Sequence, residues 1–126
     1  MLFRSRRRVA IARAMTAKPR ILLYDEATTG LDPITANSIS DEIIKLRDLE
    51  NVSSILVTHQ LRDAFRVATM EAVRENGKVQ IVAADDEKSR QAEFIMLKDG
   101  RIAFEGNAVE LRAAADSEAY LNAFLS

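Results

Sequence analysis

The chain has 126 residues, 48% of them apolar and 6% aromatic, without Cys or Trp; this describes one modest domain and excludes a disordered segment, a disulfide scaffold and a thiolate metal site. A formal charge of −1 hides an uneven layout, because the first twenty residues carry seven of the 18 Arg and Lys and none of the 19 acids. That basic start reads as a solvated helix face, with no nucleic-acid partner expected; the apolar runs are too short to span a bilayer, Met1-Leu2-Phe3-Arg4 lacks the apolar core of a signal peptide, and a cytoplasmic location follows as the default.

In chain order, residues 6 to 17 are expected to be helical, with Val9, Ile11, Ala12 and Met15 sharing a face, Arg6, Arg7, Arg8 and Arg13 outside, and Pro19 beyond the end. Ile21 to Tyr24 reads as a short buried strand. Gly30 to Pro33 is turn material, after which Ile39, Ile43, Leu46 and Leu49 recur at helical spacing and Asp41 stands four before Lys45 for support. Ser54 to Thr58 is a second apolar strand, ending at His59.

Leu61 to Glu75 is expected to be helical, with Leu61, Phe65, Ala68 and Ala72 in register; Asn76-Gly77 either caps that helix or turns into a strand over Lys78 to Ala84. Asp85 to Glu93 is charged and lacks core periodicity. Phe94 to Leu97 and Arg101 to Phe104 flank Asp99-Gly100, a strong hairpin signal. Asn107 with Glu110 three later is a capping-box pattern, and Ser117 is expected to cap a last short helix carrying Tyr120, Leu121 and Phe124. The alternation predicts an α/β fold with a mainly parallel sheet, flanking helices and a terminal β-hairpin.

The chemistry concentrates at two strand ends. Ile21 to Tyr24 runs into Asp25-Glu26, adjacent carboxylates delivered to the rim of a sheet, where a metal or a water can sit. On a continued strand the two would face opposite sides, so only one would face a ligand unless the chain turns there, which the turn residues that follow allow. In nucleotide hydrolysis one such carboxylate holds Mg²⁺, directly or through water, and the next polarises the attacking water; Asp25 is assigned to the metal and Glu26 to the water. Taken alone, the dipeptide also matches a solvated acidic strand end, and a lone His59 matches a surface histidine. Their placement favours chemistry, because ligands in open α/β sheets bind at the carboxyl ends of neighbouring strands.

Together, Arg6-Arg7-Arg8-Val9-Ala10-Ile11-Ala12-Arg13-Ala14, Ile21 to Glu26, Thr29-Gly30-Leu31-Asp32-Pro33 and Leu56-Val57-Thr58-His59 resemble the post-signature helix, Walker B strand, D-loop and switch-histidine loop of ABC transporter ATPase subunits. The resemblance implies the carboxyl-terminal part of a P-loop nucleotide-binding domain, with ATP and Mg²⁺ as ligands. Asp25 would then assist Mg²⁺, Glu26 act as general base, Asp32 couple the two sites of a dimer, and His59 contact the terminal phosphate. The implied partners are a second nucleotide-binding subunit packed head to tail and a transmembrane permease that holds the protein peripherally on the inner face of the cell membrane. Thr58 to Ala68 is similar to the subunits of Mce-type lipid importers, grouped with organic-solvent-tolerance transporters, which would add a substrate-binding Mce-type protein. Leu97 to Gly106 also resembles the hairpin near the end of such domains, whereas about 70 to 93 departs from the compact pattern and is expected to be an insertion.

No Gly-x-x-x-x-Gly-Lys-Ser/Thr loop occurs in the sequence, so nothing in it would cradle the β- and γ-phosphates. Met1 to Arg4 stand where the family's Leu-Ser-Gly-Gly signature belongs, and residues 1 to 5 are expected to be a non-native edge of a truncated frame. The expectation is therefore one partial nucleotide-binding domain over 1–126, inactive alone. Two alternatives stand beside it: a non-catalytic module that binds or regulates a complete ATPase, and a soluble ABC ATPase of translation or DNA repair.

Overall fold

The computed structural model describes residues 2–117, and side chains from residue 6 to 115. Helix α1 (Leu2–Met15) leads into strand β1 (Ile21–Asp25), helix α2 (Pro33–Leu49) and strand β2 (Ser53–Val57). Helix α3 (Leu61–Thr69) runs into the hairpin β3 (Met70–Glu75) and β4 (Lys78–Ala83), followed by the single turn α4 (Asp86–Ser89). A second hairpin, β5 (Glu93–Lys98) and β6 (Arg101–Asn107), precedes α5 (Ala108–Ser117).

The α/β class holds, but the expected mainly parallel sheet does not. Among the described residues there are three two-stranded sheets, of which only β1–β2 is parallel, with Ile21 opposite Ser53 and Asp25 opposite Val57. The other two are antiparallel hairpins. A parallel pair needs a long crossover, here α2, while a hairpin needs only two turn residues. Asn76-Gly77 and Asp99-Gly100 both adopt positive φ (51° and 76°, 52° and 74°), the requirement of the hairpin turn whose twist matches its strands.

Helix α2 organises the larger core. Asp32 caps it, accepting from the Thr35 N–H at 3.3 Å, and Pro33 occupies the first helical turn, where its missing N–H costs nothing. Ile39, Ile43 and Ile44 are fully buried against Leu22 and Tyr24 of β1, Val52, Val67 of α3 and Ala72 of β3. At roughly 2–3 kcal/mol for each such side chain, this cluster is the main source of stability. Burial also pushes the Tyr24 hydroxyl up to about 12. A smaller core gathers Leu111 and Ala115 of α5 with Leu61, Phe65, Phe94, Met96 and Phe104. The Arg112 guanidinium lies 5.2 Å over the Phe65 ring there.

Three local expectations are corrected. The helix predicted to reach Glu75 stops at Thr69, because Met70 to Glu75 pair with β4 and the Ala72 N–H donates to Asp48 Oδ2 at 2.9 Å. Asp41 does not support Lys45; it pairs with Arg66 of α3 at 2.7 Å, and Lys45 reaches Glu42. Val9 is exposed, leaving Ile11 and Met15 as the α1 residues packed on the core. Ser117 belongs to α5 (Ala108–Ser117), and the last short helix expected to carry Tyr120, Leu121 and Phe124 lies outside the described residues. The Asn107–Glu110 capping box is present in both directions: Glu110 N–H donates to Asn107 Oδ1 at 2.9 Å, and Asn107 N–H to Glu110 Oε1 at 3.2 Å.

The departure expected at about 70 to 93 is a clamped hairpin. Arg47 donates to the carbonyls of Val67 and Met70 at 2.6 and 2.7 Å and grips Asp48 through two bonds of 2.8 and 2.9 Å. Asp48 also accepts from Ala72 N–H and, at 3.0 Å, from Lys88. Burial works to raise the Asp48 carboxyl, but Arg47, the Ala72 N–H and Lys88 outweigh it and bring it down to about 2.

Candidate active site

Because β1 and β2 run parallel, their carboxyl ends lie side by side, and the segments leaving them share one rim. The Glu26 N–H extends the ladder one step, donating to the Val57 carbonyl at 2.8 Å. Glu26 then adopts φ +54°, a left-handed conformation rare for a residue with a side chain. That bend removes Glu26 from strand alternation. Asp25 and Glu26 consequently border one open groove of ≈ 320 Å³, walled by Arg7, Ala10, Ile11 and Ala14 of α1.

The structure brings His59 to Glu26. His59 Nδ1 lies 3.1 Å from Oε1 and 3.0 Å from Oε2, and Gln60 Nε2 stands 3.4 Å from the other ring nitrogen. The Thr29 hydroxyl donates to Glu26 Oε2. Thr29 first, and then His59, hold the Glu26 carboxyl below the usual carboxylate range, so it is ionised at neutral pH and able to accept a proton from water. Arg7 of α1 steadies the same turn by donating to the Thr29 carbonyl at 2.6 Å.

Asp32 is not part of this cluster. Its carboxylate is engaged at the cap of α2, where the Thr35 side chain first and then the Thr35 N–H hold it below its ordinary range. Among the described residues no three acidic, His or Cys groups converge into a metal cage. A single exposed carboxylate at Asp25 still suits Mg²⁺, which takes one or two carboxylates and fills its remaining positions with water and substrate phosphates.

Sequence reasoning missed Arg7, Thr29 and the buried bond from the Thr28 hydroxyl to Asp63 Oδ2 at 2.8 Å. Two adjacent Thr after an acidic pair were the available signal, since turn hydroxyls bond to neighbouring groups. Nothing in the sequence marks Asp63, which sits between Leu61 and Phe65 on a helix that looks amphipathic.

No protein-family model matches the chain. Over 74 residues, 59% of its length, it is 45% identical to the methionine import ATP-binding protein MetN 2 of Staphylococcus epidermidis strain RP62A and to MetN 1 of S. epidermidis strain ATCC 12228. MetN of Staphylococcus haemolyticus matches at 42% identity over the same length. These relatives are named as ATP-binding proteins of methionine import, and the chain is homologous to them over the matched stretch. That stretch is 22% of each relative's own length.

Proposed function

We propose that the whole protein containing this chain is the ATP-binding, ATP-hydrolysing subunit of an ABC transporter. The observation that carries the reading is the meeting of Glu26 and His59 at the adjoining ends of two parallel strands, in a chain homologous to ATP-binding subunits. Glu26 would orient the attacking water and take its proton, and His59, hydrogen-bonded to Glu26, would face the terminal phosphate of ATP. Asp25 would hold Mg²⁺, directly or through water; bound there, the ion supplies charge neutralisation for the phosphates. Asp32, at the head of α2, would lie at the contact with a second subunit.

The partners follow from the same reading: a second ATP-binding subunit and a permease that anchors the protein at the inner membrane face. Among the described residues no helix is long and apolar enough to cross a membrane, so attachment would come through that permease. Two cargo classes have separate support. The relatives are named for methionine import, whereas Thr58 to Ala68 resembles the lipid and organic-solvent-tolerance type, with its Mce-type partner. Uptake of labelled methionine and of labelled phospholipid by cells carrying or lacking the gene separates them.

The catalytic reading is tested by Glu26→Gln in the complete protein. The amide keeps the shape but is a far weaker proton acceptor, so turnover should fall about 10²-fold or more while ATP binding persists. Turnover within a few-fold of wild type would remove Glu26 from the role of base. The non-catalytic alternative predicts tight saturable binding to a complete ATPase without turnover of its own.

A further inference from the structure

Glu26 and His59 do not hold each other firmly. Their side chains are 39% and 65% exposed, and a contact between two solvated side chains gains little against water and lost rotamer freedom. A second link joins the same two segments in a dry setting: the Thr28 hydroxyl donates to Asp63 Oδ2 at 2.8 Å, with Thr28 6% and Asp63 5% exposed. Water cannot compete for this bond, so it is the rigid member of the two.

Main-chain bonds tie each partner to the exposed pair. On one side Thr29 N–H returns to the Glu26 carbonyl at 3.2 Å and Leu31 N–H to the Thr28 carbonyl at 3.2 Å. On the other, the N–H groups of Asp63 and Ala64 both donate to the Gln60 carbonyl, at 3.1 and 3.2 Å, and Gln60 follows His59 directly. Asp63 is also an expensive way to stabilise a fold, since its Oδ1 is buried without a partner. An apolar side chain of similar volume would serve stability better.

We propose that Thr28 and Asp63 are positioning residues, whose buried hydrogen bond fixes the turn after β1 against the start of α3 and so sets His59 Nδ1 on the Glu26 carboxylate. The proposal rests on the reading of Glu26 and His59 as the working pair, and deepens it.

His59 is the only histidine in the chain, so its imidazole gives one set of nitrogen signals in the ¹⁵N-labelled 126-residue chain. At alkaline pH, where the ring is neutral, a carboxylate facing Nδ1 selects the tautomer that carries its proton there. The wild type and Thr28→Ser should both show the Nδ1–H pattern. Thr28→Ala, which differs from Thr28→Ser by one oxygen atom, should lose it in favour of the Nε2–H form. Glu26→Ala is the control and should lose it whatever stands at 28. If Glu26→Ala leaves the tautomer unchanged, the pair itself fails, and this proposal with it. If Glu26→Ala shifts the tautomer but Thr28→Ala does not, only the positioning role is overturned. Unfolding of Thr28→Ala beside a folded Thr28→Ser also overturns it, assigning the bond to stability.

Discussion

Replacing Asp48 by Asn tests whether the Arg47–Asp48 clamp holds the β3–β4 hairpin on α2. The Asp48 carboxyl lies at about 2 in the folded chain against an ordinary 3.8, and its side chain is only 6% exposed, so solvent screening is slight. At about 1.4 kcal/mol per pH unit, the difference corresponds to about 2 kcal/mol of stability. Because the folded value is depressed, this contribution is fully present above pH ~4 and is lost as pH falls through about 2. Denaturant unfolding of the wild type and Asp48→Asn at a series of pH values isolates the effect, since other carboxylates titrate in both proteins. The wild type should be more stable by about 2 kcal/mol at pH 7, a large part of the 5–15 kcal/mol typical of a domain, with the gap closing between pH 4 and pH 2. A gap that is absent at pH 7, or that stays constant down to pH 2, would refute the clamp.

Ile43→Ala, at a fully buried position of α2, should cost roughly 2–5 kcal/mol in the same unfolding assay; a loss under 1 kcal/mol would mean that the larger core lies elsewhere. Gly100→Val forces a β-branched residue into φ +74° and should destabilise the β5–β6 hairpin by about 1 kcal/mol or more, read as faster amide exchange in β5 and β6. Ile21, Leu23, Ile55 and Val57 form an exposed apolar face of the β1–β2 sheet. Leu23→Lys combined with Ile55→Lys should therefore raise the concentration at which the chain stays monodisperse by light scattering, and unchanged aggregation would shift attention to the second exposed patch of Ile95, Leu97 and Ile102.

Much of the rim was legible because local rules act there without competition. Asp25, Glu26 and His59 end short apolar runs, and a parallel crossover through α2 leaves the two strand ends adjacent. The Asp99-Gly100 turn and the Asn107–Glu110 box were readable because their energetics depend on two to four neighbouring residues. Helical periodicity failed at Ala72, where a spacing that suits a helix face also suits alternate positions of a strand packed on α2.

The sequence by itself determined which segments are apolar, where the chain must turn, and which side chains can hold a metal or accept a proton. Tertiary structure alone decided that Glu26 bends out of its strand to share a groove with Asp25, that His59 rests on Glu26, that Asp41 serves Arg66 and not Lys45, and that Thr28 finds Asp63 in the interior. The physical reason is range: backbone propensity and hydrophobic period act over a few residues, whereas the partners in the last three of these pairs lie 25 to 35 positions apart and are chosen by how α2 and α3 pack against β1 and β2.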